Sequence, residues 1–477
     1  MAQANALISK HPLTESSQLY STPQGNILIG CPPEVLKLMM TEHVPMPDTI
    51  VIPGTLYKYN SSFACLEFPF YHFLFIQQGM ARGRKFKVFA KKKICKKLRE
   101  MLRVTLLGPE FEEIMNVEAN LDIPTKLSKR KIKQIVDETK FLAPRNKAGV
   151  PYEMDEMIEF VPLEIGDKKE IYPSFEEFPK VSIERKDEDE FFITCDKKLK
   201  TKLSVTKPLN PVYPIEGVEV TRKEIISNSL FSVRCLGASE GFDPTQPANG
   251  FLFRFNGKWM LWDCPAFLHR HLEKLGLTLE ELDAVFVSHV HEDHLDIMES
   301  VGFGKKVDLY TSPEIFHCMI LKLMTILDCG YGKAKSFYNF HPIYANKPFS
   351  LFGARIEVFY SSHAIPALGL RLNVKNGKET SSVFLSGDTL SKRMIESLNS
   401  AGVYSKTRYN ELMHTLPDDT CHDISFVDAG SGSIHGDPED YFDNPCDVVY
   451  MHTGKKLSDL PDNHMLLKAG QHFVIHS

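Results

Sequence analysis

Several things are scarce or missing in this 477-residue sequence. Its ten cysteines are scattered and no two have C-x-x-C spacing, which excludes a zinc ribbon and leaves no visible disulfide framework. A reducing, cytoplasmic setting is the expectation. No apolar run reaches the roughly 18–20 residues that span a bilayer. The most apolar stretch, 68–76, reads as a buried strand, so no membrane partner is expected. The start, MAQANALISKHPL, lacks a basic segment followed by an apolar core and does not read as a secretory signal. Neither sign of charge dominates: 56 Lys+Arg stand against 61 Asp+Glu, a formal net charge of −5. That excludes a highly basic nucleic-acid coat or an acidic tail, though not a local basic patch. Histidine is rare in the first half. Of 18, only His11, His43 and His72 precede residue 250. Histidine is the commonest metal ligand and acid–base group, so the chemistry is expected in the C-terminal half.

The length favours two domains. Residues 1–22 are polar and read as loose. From 25 to 105, β-like runs (27–29, 49–52, 68–76, 86–89) alternate with helical patterns. One helix is started by Pro32 and Pro33, and another, over 91–107, is very basic. Residues 110–140 read as helical, and 145–215 as irregular strands plus linker. The texture changes near Ser229. Strands are expected at 231–236, 250–255, 258–263, 284–288, 307–311, 355–360, 368–374 and 382–385. A helix is expected near 267–275 and a longer one over 313–327. Asn376-Gly377 is a hairpin signal. The resulting division is an N-terminal α+β domain of unreadable role, 1–220, and a second domain, 221–477. Strands that end in His- and Asp-bearing loops, interleaved with helices, suggest a two-sheet core covered by helices.

The decisive run is His289-Val290-His291-Glu292-Asp293-His294, delivered by the apolar stretch AVFVS. At a strand end, alternation throws His289 and His291 to one side, so both can reach one metal. Asp293 and His294 open the following turn and can face a second. Divalent ions of borderline softness take imidazole nitrogen plus carboxylate oxygen and leave a position for water.

With this H-x-H-x-D-H motif the chain, from about Ser229 onward, resembles the metallo-β-lactamase superfamily. Further pieces follow in the family's order: His363 in FYSSHAIPALGLRL, Asp388 in FLSGDT, and two later histidines, His435 and His452. Asp263, in WMLWDCP, matches a family aspartate at a strand end near the metal loop. The resemblance implies an α/β fold, an αββα sandwich with an additional N-terminal α+β domain. It also implies two divalent metal ions, zinc before iron or manganese. Metal 1 would take His289, His291 and His363. Metal 2 would take Asp293, His294 and His452. Asp388 would bridge. His452 is preferred to His435 because an apolar strand-like run, 448–451, precedes it.

The tail order GDT, FVDAG, IHGDPEDY, VYMHTG resembles the branch holding ribonuclease Z and cyclic-nucleotide phosphodiesterases. That implies a hydrolase cleaving a nucleotide or nucleic-acid phosphodiester through a metal-bridging hydroxide. Catalytic roles fall to His435 as proton donor, Asp428 as its support, and Asp293. Pro265 and Asp428 depart from the ribonuclease Z pattern, and a Pro-x-Lys-x-Arg-Asn loop is absent, so the substrate stays open. Two alternatives stand beside this reading: a thioester or lactone hydrolase of the same fold, and a diiron redox or oxygen sensor. His291 stands where diiron relatives carry an acid and leans towards zinc. A homodimer is left open. The run Arg82, Arg84, Lys85, Lys87, Lys91, Lys92, Lys93, Lys96, Lys97, Arg99 and Arg103 is either a phosphate-binding surface or a solvated helix face balanced by acids such as those at 184–190.

Overall fold

The computed structural model describes residues 7–215, 223, 226, 229–302, 304–415, 421–432, 434–453, 457 and 459–476. The chain divides into two compact units. The first takes residues 1–102, 152–212 and 321–334; the second takes 103–151, 213–320 and 335–477. This differs from a single cut at 220/221, a point that lies outside the described residues. Segment 103–151 groups with the C-terminal half.

The first unit is built on a six-stranded and a four-stranded sheet. Ser9–Thr14 and Ser17–Thr22 pair antiparallel, where a loose segment was expected. Burial of Leu19 and Tyr20 explains the order. Gly25–Ile29, Thr49–Val51, Phe86–Ala90 and Ile158–Pro162 then pair in parallel. Lys168–Tyr172, Val181–Asp187, Glu190–Thr194 and Lys198–Lys202 form the antiparallel sheet, so 145–215 is more regular than expected. Val181, Ile183, Phe191 and Ile193 alternate inward and join Tyr20, Ile27, Val51 and Phe89 in one core.

The stretch 68–76 is helical, not a strand: Glu67–Tyr71 is α-helix and His72–Ile76 a wider π turn. Its buried positions are Pro69, Phe70, Phe73 and Leu74, a helical spacing, while Phe75 and Ile76 are each 55% exposed. Composition alone cannot separate a short buried helix from a strand; period does. The basic helix, Lys92–Leu106, buries Ile94, Leu98, Met101 and Leu102. Its cations meet acids: Lys91 with Glu188, Lys93 and Lys97 with Asp328, Arg99 with Asp155. The solvated-face reading therefore accounts for much of the run.

The second unit holds two seven-stranded sheets. One runs, in spatial order, Tyr338–Pro342, Val307–Thr311, Ala284–Phe286, Lys258–Trp262, Gly250–Phe255, Phe231–Gly237, His472–His476. The other runs Phe349–Leu351, Ala354–Tyr360, Leu368–Asn376, Glu379–Leu385, Ile424–Asp428, Val448–Met451, His464–Leu466. Phe426 meets Phe251 and Phe473 at ring separations of 5.0 and 5.3 Å, joining the sheets face to face. Its neighbour Val427 points the other way. It packs with Ile395, Leu398 and Leu412 of the helices Lys392–Ser400 and Lys406–Thr415. On the first sheet, Phe316 of the helix Pro313–Ile326 stacks on Phe340 at 4.0 Å. This is the αββα sandwich expected.

Residues 110–140 form two helices, Phe111–Asn120 and Lys129–Leu142, the second capped by Ser128. Cys421 and Cys446 form a disulfide, with Cα atoms 5.6 Å apart. Scattered spacing concealed this pair. Among the described residues no helix is long and apolar enough to cross a membrane.

Candidate metal centre

The site forms where strands of both sheets end. A side chain can leave a sheet towards a common centre only where the strand stops, and several residues there adopt unusual backbone. Asp263, after Lys258–Trp262, has φ 66°, and His452, after Val448–Met451, has φ 61°. Such conformations cost about 1–3 kcal/mol each for non-glycine residues and cluster at functional sites. Gly387, before Asp388, has φ 61°, and a side chain there would strike the Leu368 carbonyl. Glycine is thus required to aim Asp388 inward.

Three imidazole nitrogens converge first. His291 Nδ1 lies 3.2 Å from His289 Nε2 and 3.1 Å from His363 Nε2. A second group holds Asp293, His294 and His452, with His452 Nε2 2.9 Å from Asp293 Oδ2. Asp388 stands between the groups. Its Oδ2 is 3.8 Å from both His289 and His363 Nε2 and 3.6 Å from His452 Nε2; its Oδ1 is 3.1 Å from His294 Nε2. All seven residues are buried.

Three of the five imidazoles are held by a partner on the nitrogen facing away from the centre. His294 Nδ1 is 2.9 Å from Asp263 Oδ2, and Asp263 also accepts from Ser288 N at 2.7 Å and Ser288 Oγ at 2.8 Å. His363 Nδ1 donates to the Ile434 carbonyl at 3.1 Å, and His291 Nε2 to the Thr105 carbonyl at 3.0 Å. Such partners set which ring nitrogen faces the centre. The Thr105 contact was missed, because a backbone carbonyl leaves no sequence signal.

His435 and Asp428 form a separate pair. His435 Nδ1 lies 3.1 Å from Asp428 Oδ2. Asp428 is fully buried and accepts from the amides of Thr389 at 3.0 Å and Gly430 at 2.9 Å. The His435 ring stacks on His452 at 4.4 Å, and its side chain keeps 17% exposure. Both His435 and His452 lie near Asp388, so distance to that carboxylate does not separate them. Their other carboxylate partners do: Asp428 for His435, Asp293 for His452.

The electrostatics suit cations. Burial holds His291 at about 3 and His363 at about 4 and pushes His289 well down, so these three are neutral, as ligands must be. Burial also opposes charge on His294 and His452, but Asp388 and Asp293 outweigh it. His294 is raised well above the usual range and His452 to about 9. Burial alone would raise Asp388; the charges of His294 and His452 hold it well below the usual carboxylate range instead. Protons on two imidazoles therefore balance buried carboxylates that a metal ion would balance directly. Moreover, His294 Nε2 and Asp388 Oδ1, though 3.1 Å apart, are off the line of a hydrogen bond and have no other such partner. A buried ring nitrogen and a buried carboxylate oxygen aimed past each other fit a shared cation. The donor set fits divalent metal.

Residues 231–425 match the family model of the anti-Pycsar protein Apyc1. Over 222 residues, 45% of this chain, the sequence is 25% identical to a cGMP-dependent 3′,5′-cGMP phosphodiesterase A of Dictyostelium discoideum. It is 24% identical over 132 residues, 26% of this chain, to a ribonuclease Z of Methanococcus aeolicus. The aligned stretches span 24% and 40% of those proteins' own lengths. Among solved structures, the metallo-beta-lactamase fold protein YhfI from Bacillus subtilis covers 52% of this chain and 99% of its own, at 17% identity and a TM-score of 0.38. The C-terminal half is an αββα sandwich. In sequence it is similar to phosphodiesterases and ribonuclease Z.

Proposed function

We propose that the second unit is a dinuclear metal-dependent phosphodiesterase acting on a nucleotide or nucleic-acid phosphodiester, with zinc as its ion. The observation that carries this is the pair of three-donor groups joined by Asp388. In this reading His289, His291 and His363 hold metal 1, Asp293, His294 and His452 hold metal 2, and Asp388 bridges. Five imidazoles with two carboxylates suit zinc better than the harder ions. The phosphodiester class is supported by the names of the relatives, a cGMP phosphodiesterase and a ribonuclease Z.

When bound, two divalent ions supply Lewis acidity and an activated water. The chain's own residues arrange the rest. Asp263 orients His294 through its Nδ1. Asp428 accepts from His435 Nδ1–H, so the transferable proton sits on Nε2 and can pass to the leaving oxygen.

The test is hydrolysis of a bis-ester model, cyclic nucleotides and short RNA by the full chain at measured metal content. Asp388→Ala is expected to abolish turnover while the protein stays folded. No hydrolysis of any of the three by fully metallated protein overturns the reading.

A further inference from the structure

The segment 103–151 precedes the sandwich in sequence yet belongs to the same compact unit. It touches the metal-1 histidines by two routes. The Thr105 carbonyl accepts from His291 Nε2 at 3.0 Å. The second route runs through Glu138, on the helix Lys129–Leu142. Glu138 takes Arg408 in a forked pair: Nε to Oε1 at 3.0 Å and Nη2 to Oε2 at 3.0 Å. The same guanidinium donates to the carbonyls of Tyr360, at 3.0 Å from Nη1, and Ser361, at 3.1 Å from Nη2. These carbonyls close the strand Ala354–Tyr360, two and three residues before His363. Ser362, next before His363, is held by the Tyr404 hydroxyl at 2.6 Å.

A buried ion pair is a poor way to add stability, because desolvation cancels much of its attraction. Arg408 is 3% exposed and Glu138 7%. What the pair does supply is direction. A planar guanidinium fixed on one edge by a carboxylate presents its remaining N–H groups at set angles. Here they meet the backbone that leads into His363. We propose that segment 103–151 is a positioning element of the metal centre, with Thr105 setting His291 and the Glu138–Arg408 pair setting the strand end that carries His363. This rests on the reading of His291 and His363 as metal ligands.

The experiment is cobalt(II) titration of the full chain, followed by the visible spectrum of the bound ion, with thermal unfolding as control. Glu138→Gln should weaken the metal-1 cobalt by about 10–100-fold and alter its spectrum, the usual cost of losing a group behind a ligand. A purely structural pair would lower the Tm but leave affinity and spectrum alone. Should Glu138→Gln strand the Arg408 charge and unfold the protein, Glu138→Met combined with Arg408→Met removes both charges. The same weakening is then expected. A folded variant that binds cobalt with wild-type affinity and spectrum overturns the inference while leaving the phosphodiesterase reading intact. Wild-type protein that binds no divalent ion removes both.

Discussion

Replacing His435 by Ala isolates the proton-transfer step from the metal chemistry. Asp428 is fully buried, and its oxygens already accept from Thr389 N and Gly430 N. An acceptor so placed demands a proton on His435 Nδ1, which leaves Nε2 to serve the leaving group. General-acid help of this kind is worth roughly 10²–10⁴-fold, or about 3–5 kcal/mol at 1.36 kcal/mol per decade. The loss should depend on the leaving group. A nitrophenolate departs without a proton, whereas a ribose alkoxide does not. Turnover of a nitrophenyl diester by His435→Ala should fall several-fold at most. Turnover of a nucleotide diester should fall by the full factor. Steady-state kinetics on both substrates at saturating metal measure the ratio. Equal losses on both, or none on either, refute the acid role. Asp428→Asn should follow the same pattern. A carboxamide cannot accept from His435 and both amides through one oxygen.

Other expectations follow from the same geometry. In chelator-treated protein, His452 has a folded pKa of about 9, above the roughly 6.5 of the unfolded chain. Its contribution, on the order of 3 kcal/mol, is present below pH 6.5 and lost as pH rises through 9. His363, lowered to about 4, acts oppositely and costs stability as pH falls from 6.5 towards 4. Metal-free stability should thus peak near pH 6.5; a Tm flat from 6.5 to 9 contradicts the His452 charge. Gly387→Ala should cost roughly 1–3 kcal/mol and displace Asp388; unaltered zinc stoichiometry and Tm would count against the strain at φ 61°. Phe426→Ala, between Phe251 and Phe473, should cost about 3–5 kcal/mol in chemical denaturation, and a loss below 1 kcal/mol would mean the sheets do not meet there. Reducing Cys421–Cys446, which span 25 residues, should cost about 3.5 kcal/mol at most. Unfolding with and without reductant measures it, and coincident curves would deny the bond a role in stability.

The candidate site was legible because most of its pieces are local. Six consecutive residues just after the strand Ala284–Phe286 supply four donors. Asp388 and His452 each follow a readable strand. Apolar composition over 68–76 points to a strand, but Phe70, Phe73 and Leu74 are spaced for a helix. One preceding strand favours His452 over His435 as a metal ligand, and in the structure the two contact different carboxylates, Asp293 and Asp428.

The sequence by itself determined a set of candidate donors in the C-terminal half and a two-sheet sandwich that presents them. Those follow from local pattern, since apolar strands and the loops that end them are read from short runs. Tertiary structure decided what aims them. His291 meets Thr105 across 186 positions, and Arg408 meets Glu138 across 270. It likewise joined Cys421 to Cys446 and placed segment 103–151 with the sandwich. No spacing rule reaches that far. A carbonyl looks the same at every position, and a buried pair forms only where the packed core brings both partners out of water together.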